Sequence, residues 1–588
     1  MKNGLYTLAS LDGSPLDRRH VGPLFSGFST GPDSTGSFVA VVADPHPDAA
    51  ARHDDGPCTD VFSGHMDEPG EMRRRLGLAA DASHAEIAGA AQDRWGVEAA
   101  RELGGEWTLL RWNGRPRTLI LLMSECRRDD CYFAVWKGQV AIAPELVRLA
   151  KLDGIDGSFD PDALIRVMGR YPLDRSLGHR TFVRGVQRLL PGTQVTLRSE
   201  GSVTETLSAP AAPLVRALSF DEAVQEIEAL LRTIVRRRLA DGRDAAFMLS
   251  GGLDSSLLVW LASEECQPGQ RLHLLSSAAP AGSGIPDEVD WAASVADHLG
   301  LSLTPVTPAR EADPYAPSEQ MLASREGPLL SPRHYLYEAL ECAAVANGAA
   351  TLFDGVYGEL TVSNPGQGIA ANASWPRRLI RGLRDGLTPR RTASDRGREL
   401  FHVRLSEGLL EASGHLSLAG DVTRDTPRRQ ATEPFGYAPG WEKSAFAPTI
   451  IGDPAVRYVL PFRAPALLAR FGTLPTGFIS NDGASRAIAR AILQGRLPER
   501  IVSRTSKMPF SPTYPILLAT HANTARERLV AQREAGAGQW LDLGWLDLAL
   551  ARVAGGAPSD AADLFRIQAT ATAAEFIRWW RDQAVKGG

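Results

Sequence analysis

The chain has 588 residues, 44% of them hydrophobic and 23% charged, with a formal net charge of −5. That composition describes an ordered globular protein with ample core; it excludes a long low-complexity chain, and it offers no global attraction for nucleic acid or anionic lipid. The five cysteines, Cys58, Cys126, Cys131, Cys266 and Cys342, form no CxxC pair and join no histidine cluster of metal-ligand spacing, so a reducing cytoplasm is the expected compartment.

The amino terminus, MKNGLYTLASLDGSPLDRRH, lacks the charged-then-apolar pattern of a signal peptide, and no run approaches the ~18 apolar residues needed to span a bilayer. A soluble, cytoplasmic protein is expected. From Met1 to about Leu207, the segments GSFVAVVAD, GEWTLLRW, RTLILLMSE, YFAVWKGQVAIA and GTQVTLRS are short, β-branched or alternating, and separated by turn residues. They predict antiparallel sheet. The Pro- and Ala-rich stretch Ser208 to Ser219 reads as a linker, so two domains are expected, 1–210 and 211–588.

Beyond the linker comes the amphipathic helix FDEAVQEIEALLRTIVRRRLADG, and then apolar strand patterns alternate with helical ones through DAAFMLS, RLHLLSSAA, VDWAASVADHLG, LSLTPVT, HYLYEALECAAVANG and ATLFDG. This alternation predicts a parallel, doubly wound sheet, whose ligands lie at the carboxyl ends of its strands. One such end carries FMLSGGLDSSLLVWLAS. Ser250, Gly251, Gly252, Leu253, Asp254, Ser255 and Ser256 there form a strand-to-helix turn that gathers N–H groups and hydroxyls at a helix amino terminus. A phosphate chain is the expected occupant.

The loop is not a Walker A sequence, since it has no lysine. It resembles the pyrophosphate-binding loop of the ATP pyrophosphatase superfamily (PP-loop), whose members cleave ATP to AMP and pyrophosphate. Within that superfamily, LFDGVYGEL (Leu352 to Leu360), RYVLPFRAPALLARFGTLP (Arg457 to Pro475) and SRAIARAILQGRLPERIVSRTSKMPFSP (Ser485 to Pro512) resemble segments of the class B asparagine synthetases. The resemblance implies ATP and Mg²⁺ as cofactors. Asp254 and Glu359 would hold the metal, and Leu249, Ser250, Gly251, Gly252, Asp254, Ser255, Ser256, Ser276, Ser277 and Gly355 the nucleotide. Lys507 would face developing charge on phosphate and on the tetrahedral intermediate. Arg504 would contact phosphate or substrate, or brace Lys507, and Tyr357 is a candidate base.

Gly105 to Leu152 and Phe182 to Leu197 resemble the strands of the family's amidotransferase domain, an Ntn-hydrolase-like antiparallel sandwich. The expected fold class is therefore α/β and α+β: a degenerate glutaminase-like sandwich, then a doubly wound ATP-pyrophosphatase domain with a helical carboxyl-terminal part. Met1 is followed by Lys2 and Asn3, and the first cysteine is Cys58. Such a sandwich lacks its cysteine nucleophile, and glutamine hydrolysis is expected to be absent.

Two relatives of asparagine synthetase use an amine already on the substrate: the β-lactam synthetases and the lasso-peptide cyclases. The departures at Val356 and Leu360, with nine arginines between Trp375 and Arg404, favour the larger substrate. The resemblance then implies a linear precursor peptide, joined between its amino terminus and an Asp or Glu side chain, and as pathway partners a leader-recognition protein and a leader peptidase. Other amide-forming synthetases, a retired scaffold and a tRNA-thiolating enzyme are the alternatives; no nucleic-acid or membrane partner is expected. Glu288 is read either as a cap of the helix beginning at Val289 or as a group near the nucleotide, Ser331-Pro332 as a helix start or a substrate contact, and the arginine-rich stretch as solvated surface or a basic lid.

Overall fold

A computed structural model describes residues 4–16, 18–26, 38–43, 50–55, 58–126, 131–168, 177–206, 219–329, 331–364, 403–407, 409, 456–479, 485–506, 511–556 and 561–585. The expected domain boundary near residue 210, Lys507, and the arginine-rich stretch apart from Val403 and Arg404 lie outside the described residues.

The amino-terminal region contains β1 (Gly4–Ser10), β2 (Phe38–Ala43), β3 (Ala50–Asp55), β4 (Cys58–Met66), α1 (His84–Trp95), β5 (Gly105–Gly114), β6 (Arg117–Met123), β7 (Tyr132–Trp136), β8 (Gln139–Ala143), α2 (Leu146–Ala150), β9 (Gln187–Arg188), β10 (Thr193–Arg198) and β11 (Gly201–Thr206). They build two sheets of order β2-β1-β8-β7-β9 and β11-β10-β6-β5-β4-β3, antiparallel in every pairing. Period-two alternation explains why β1 is buried throughout. Its Leu5 and Ala9 enter the core between the sheets with Leu110 and Leu121, while Tyr6 and Leu8 face the opposite way. On the outer face of the larger sheet, Ile87, Ala88 and Ala91 of α1 pack against Phe62, Trp107 and Leu109.

The second region contains α3 (Phe220–Leu239), β12 (Ala245–Met248), α4 (Leu253–Glu265), β13 (Leu272–Ser277), α5 (Val289–Leu299), β14 (Leu303–Val306), α6 (Glu319–Arg325), α7 (His334–Ala346), β15 (Thr351–Phe353), β16 (Arg457–Val459), α8 (Ala487–Leu493), α9 (Tyr514–Glu534), α10 (Leu543–Ala554) and α11 (Ala561–Val585). The five strands pair in parallel in the order β14-β13-β12-β15-β16. From β12 the chain moves outward to β13 and β14, then returns to the other side of β12 as β15. The order therefore reverses beside β12, and such a switch point opens a crevice at the strands' carboxyl ends. Phe247 and Phe353, paired in register across it, stack with ring centroids 4.5 Å apart.

Helices α9, α10 and α11 form the layer against which Tyr6 and Leu8 turn; Phe159 and Phe182 of the amino-terminal region meet Phe576 and Trp580 of α11 there. Polar contacts cross the same boundary. Both Glu326 carboxylate oxygens accept N–H groups from the first turn of α2, from Leu146 at 2.8 Å and Val147 at 2.9 Å. The buried Arg238 of α3 pairs with Asp67 at 3.3 Å and Glu106 at 3.6 Å. Among the described residues, no helix is long and apolar enough to cross a membrane.

Candidate active site

The loop after β12 lies at the switch point. Gly252 stands at the N-cap position of α4 and has no side chain to satisfy the first N–H groups of that helix, which leaves donors for an anion. Ser255 ties the turn together: its Oγ accepts from the Ser250 amide and lies 3.2 Å from Ser250 Oγ, while the Gly252 amide donates to Ser250 Oγ at 3.3 Å. Gly251 has φ +64°, and a Cβ added there would come within 2.5 Å of Trp291. Only glycine meets both conditions.

The loop after β15 closes on it. A Cβ at Gly355 would lie 3.1 Å from the Ser255 nitrogen, and one at Gly358 would overlap the Asp254 side chain. Two glycines thus let the second loop touch the first, which brings Asp254 beside Gly358, the residue before the exposed Glu359. Asp354, passed over in the sequence, is buried at the same strand end; its carboxylate accepts from the Tyr458 hydroxyl and from the Val356 amide. Burial, then the Asp354 carboxylate, pushes the nearby Tyr337 hydroxyl far above its ordinary value. The "DG" in LFDGVYGEL was the available signal for Asp354, a carboxylate immediately before a turn.

Tyr357 takes a left-handed conformation at φ 77° and is 6% exposed, packed into the apolar core of the parallel sheet. Its carbonyl accepts from the Leu360 amide and the Thr361 hydroxyl, so its backbone shapes the turn. Leu249, on the other side, donates its amide to the Leu275 carbonyl and aligns the loop with the end of β13. Ser276 and Ser277 follow there. The hydroxyls of Ser256, Ser276 and Ser277 are buried and have no hydrogen-bond partner among the described residues. Buried polar groups left open cost free energy unless something completes them, so the three hydroxyls fit a polar ligand.

Glu288 precedes α5 but makes no side-chain cap. Its carboxylate meets Arg504 at 2.5 Å. Arg504 also donates to the Ser250 carbonyl at 3.0 Å and the Ser506 carbonyl at 2.9 Å, and its guanidinium lies over the Trp291 ring. At Ser331-Pro332, the Arg333 amide donates to Ser331 Oγ at 3.4 Å, just before α7. Two residues into α7, the Tyr335 hydroxyl lies 2.6 Å from Ser511 Oγ.

No group of three or more His, Cys, Asp or Glu side chains among the described residues is placed to hold a metal ion. Mg²⁺ does not require one, because it commonly takes one or two carboxylates and completes its shell with phosphate oxygens and water. Asp254, with Glu359 next to the glycine it touches, fits that pattern.

The asparagine synthase family model matches residues 226–356 and 456–581, less than half of the chain. The chain carries an asparagine synthase domain. That domain includes the Ser250–Ser256 loop, Gly355 and Arg504, and its matched segments take in Lys507 but not Glu359. The chain is also 26% identical over 204 residues to amidase chyE of Penicillium rubens, covering 34% of this chain and 29% of that protein. It is 25% identical over 238 residues to amidase chry2 of Gibberella zeae, covering 38% and 34%. The chain thus spans about a third of the length of these relatives. A solved glutamine phosphoribosylpyrophosphate amidotransferase from B. subtilis, complexed with ADP and GMP, aligns at 11% identity over 54% of this chain and 77% of its own, with a TM-score of 0.23. No argument rests on so loose a superposition.

Proposed function

We propose that the chain forms an amide at the expense of ATP, releasing AMP and pyrophosphate, and that the amide is the isopeptide bond of a lasso peptide. The single observation that carries the first part is the Ser250–Ser256 loop at the switch point, closed upon by Gly355 and Gly358. The asparagine synthase domain supports the same chemistry. The choice of a peptide over a small acid rests on the sequence departures at Val356 and Leu360.

In this reading the N–H groups at Gly251, Gly252 and the start of α4 hold the β- and γ-phosphates, with the hydroxyls of Ser250, Ser255 and Ser256. Asp254 and Glu359 would hold Mg²⁺, which would supply positive charge against the leaving pyrophosphate. Leu249 and the hydroxyls of Ser276 and Ser277 face the nucleoside side. The substrate carboxylate attacks the α-phosphorus, the bond to the β-phosphate breaks, and an acyl-adenylate forms. Attack by the amine on its carbonyl then expels AMP, with loss of one amine proton. Lys507, by the family resemblance of its segment, would stabilise the negative charge that accumulates in both steps.

The relatives' name, amidase, describes the opposite direction of amide chemistry. Synthesis is favoured for this chain because joining a free carboxylate to an amine requires activation, which a loop suited to ATP would serve, whereas hydrolysis of an ordinary amide does not. The test incubates the protein with ATP, Mg²⁺ and a candidate precursor peptide, or with aspartate and ammonia, and follows nucleotide and product by mass spectrometry. AMP with loss of one water from the peptide is expected. AMP with asparagine would overturn the peptide reading, and no AMP with any acceptor would overturn the synthetase reading. A peptide α-amine titrates near 8 (about 7.7–8.0), so cyclisation should rise with pH and level off above that value.

A further inference from the structure

We propose that Arg504 is a positioning residue that sets the direction of the Gly251 N–H, and so builds the phosphate site without touching the phosphate; the proposal rests on the reading of that loop as a phosphate site. Each of the three guanidinium nitrogens donates one hydrogen bond. Nη1 donates to the Ser250 carbonyl at 3.0 Å, Nη2 to Glu288 Oε1 at 2.5 Å and Nε to the Ser506 carbonyl at 2.9 Å. Its carbon lies 4.5 Å from the centre of the Trp291 ring, and the side chain is 3% exposed. Turning the fork away from the Ser250 carbonyl toward a phosphate would break buried contacts.

The Ser250 carbonyl and the Gly251 N–H belong to one planar peptide and point in opposite directions. Glycine at φ +64° has no side chain to oppose rotation of that peptide. Arg504, by fixing the carbonyl, aims the N–H to the other side, where the open end of α4 gathers its donors. The other contacts hold the arginine itself: Glu288 anchors it to the start of α5, and Trp291, which stacks on it, is the residue against which Gly251 packs. One side chain therefore joins the phosphate loop, the amino end of α5 and Ser506, the residue before Lys507.

The test measures binding of α,β-methylene-ATP and of AMP, each with Mg²⁺, by calorimetry on the full chain and on Arg504→Lys, Arg504→Met and Glu288→Gln, with circular dichroism to confirm folding. AMP lacks the β- and γ-phosphates and serves as the control. Lysine keeps the charge but not the three-way fork, so Arg504→Lys should bind the analogue at least tenfold more weakly while AMP binding changes less than twofold. Glu288→Gln weakens the anchor and should cost the analogue several-fold. If Arg504 instead contacted phosphate directly, Glu288→Gln would free it and binding would hold or tighten, which overturns the proposal. Equal losses for AMP and the analogue would show a general structural role and overturn it too. Unchanged analogue binding in folded Arg504→Lys removes this proposal alone, whereas failure of the unsubstituted protein to bind the analogue removes the phosphate-site reading with it.

Discussion

The antiparallel sandwich and the parallel sheet place their strand ends differently. Antiparallel strands alternate direction, so each edge of a sheet carries both carboxyl and amino ends, often joined by tight turns such as Gly114 to Arg117 between β5 and β6. In the parallel sheet all five carboxyl ends share one edge, and the loops after β12, β13 and β15 converge there. Side chains follow the same division. The sandwich uses a buried charge to tie layers together, as Arg111 of β5 does by donating to Gln92 of α1 at 2.7 Å, whereas the parallel sheet's edge carries glycines that allow close approach and buried hydroxyls without a partner among the described residues. The aromatic contacts with α11 and the Glu326 contact with α2 pack the sandwich as a wall against the second region.

The largest effect expected of this contrast is on turnover. Asp254→Asn and Lys507→Ala should each lower AMP formation at least ~10²-fold with little change in the melting temperature, while Phe62→Ala in the sandwich should cost stability, about 3–5 kcal/mol, and leave turnover per folded molecule unchanged. AMP release and calorimetric melting measured on the same preparations check both. A sandwich substitution that abolished turnover in a folded protein would break the division.

Next in size is the charged seam between the regions. Burial alone would raise the Asp67 carboxyl, but the neighbouring Arg238 guanidinium, with His65 and Arg237, outweighs it and holds the group below its ordinary value. Asp67→Asn leaves the buried Arg238 with Glu106 as its carboxylate partner at 3.6 Å, so it should destabilise by roughly 1–3 kcal/mol at pH 7. A depressed carboxyl contributes fully above its unfolded value of about 3.9 and loses that contribution as pH falls toward its folded value. Urea unfolding of both proteins at pH 7 and near pH 3 should therefore show the difference shrinking in acid. A constant difference would mean that Asp67 acts through packing.

Glu326 caps the amino end of α2 from across the boundary, from a left-handed position at φ 46°. Glu326→Gln should cost about 1–2 kcal/mol, through loss of charge at a helix amino terminus and of one charge-assisted bond. Hydrogen exchange should rise first at Leu146–Ala150. Faster exchange confined to α6, with α2 protected as before, would show that the two regions do not lean on each other there.

Local rules made much of this legible. The glycines, aspartate and serines of the first loop announced a strand-to-helix turn because backbone freedom and helix-end donors act over seven residues, and the alternation of strand and helix patterns announced the parallel sheet. Contacts between distant segments were not legible. Glu288 does stand at the helix start where it was expected, yet its carboxylate serves Arg504, 216 residues later, and no local pattern encodes that choice. Trp291 looked like an ordinary helix residue, although Gly251 and Arg504 both pack on it. Tyr357 carried a reactive side chain in a strand-end loop, but its burial among apolar neighbours depended on how the turn folds back over the sheet.

The smallest effect lies farthest out, on α1. Ser83 and Glu86 form a reciprocal capping box, the Glu86 amide donating to Ser83 Oγ at 3.2 Å and the Ser83 amide to Glu86 Oε2 at 2.7 Å. Ser83→Ala removes one half of it and should cost about 1 kcal/mol. Helix α1 packs on the outer face of the six-stranded sheet, with the five-stranded sheet and the carboxyl-terminal helices beyond it. The six-stranded sheet beneath that helix meets the second region through the seam of Asp67 and Glu106 with Arg238 on α3, away from the strand-end loops, so the melting temperature should fall slightly while the Michaelis constant for ATP and the rate of AMP release stay constant. If the Michaelis constant moved with the melting temperature, the sandwich would be transmitting strain to the phosphate loop rather than standing as a wall beside it.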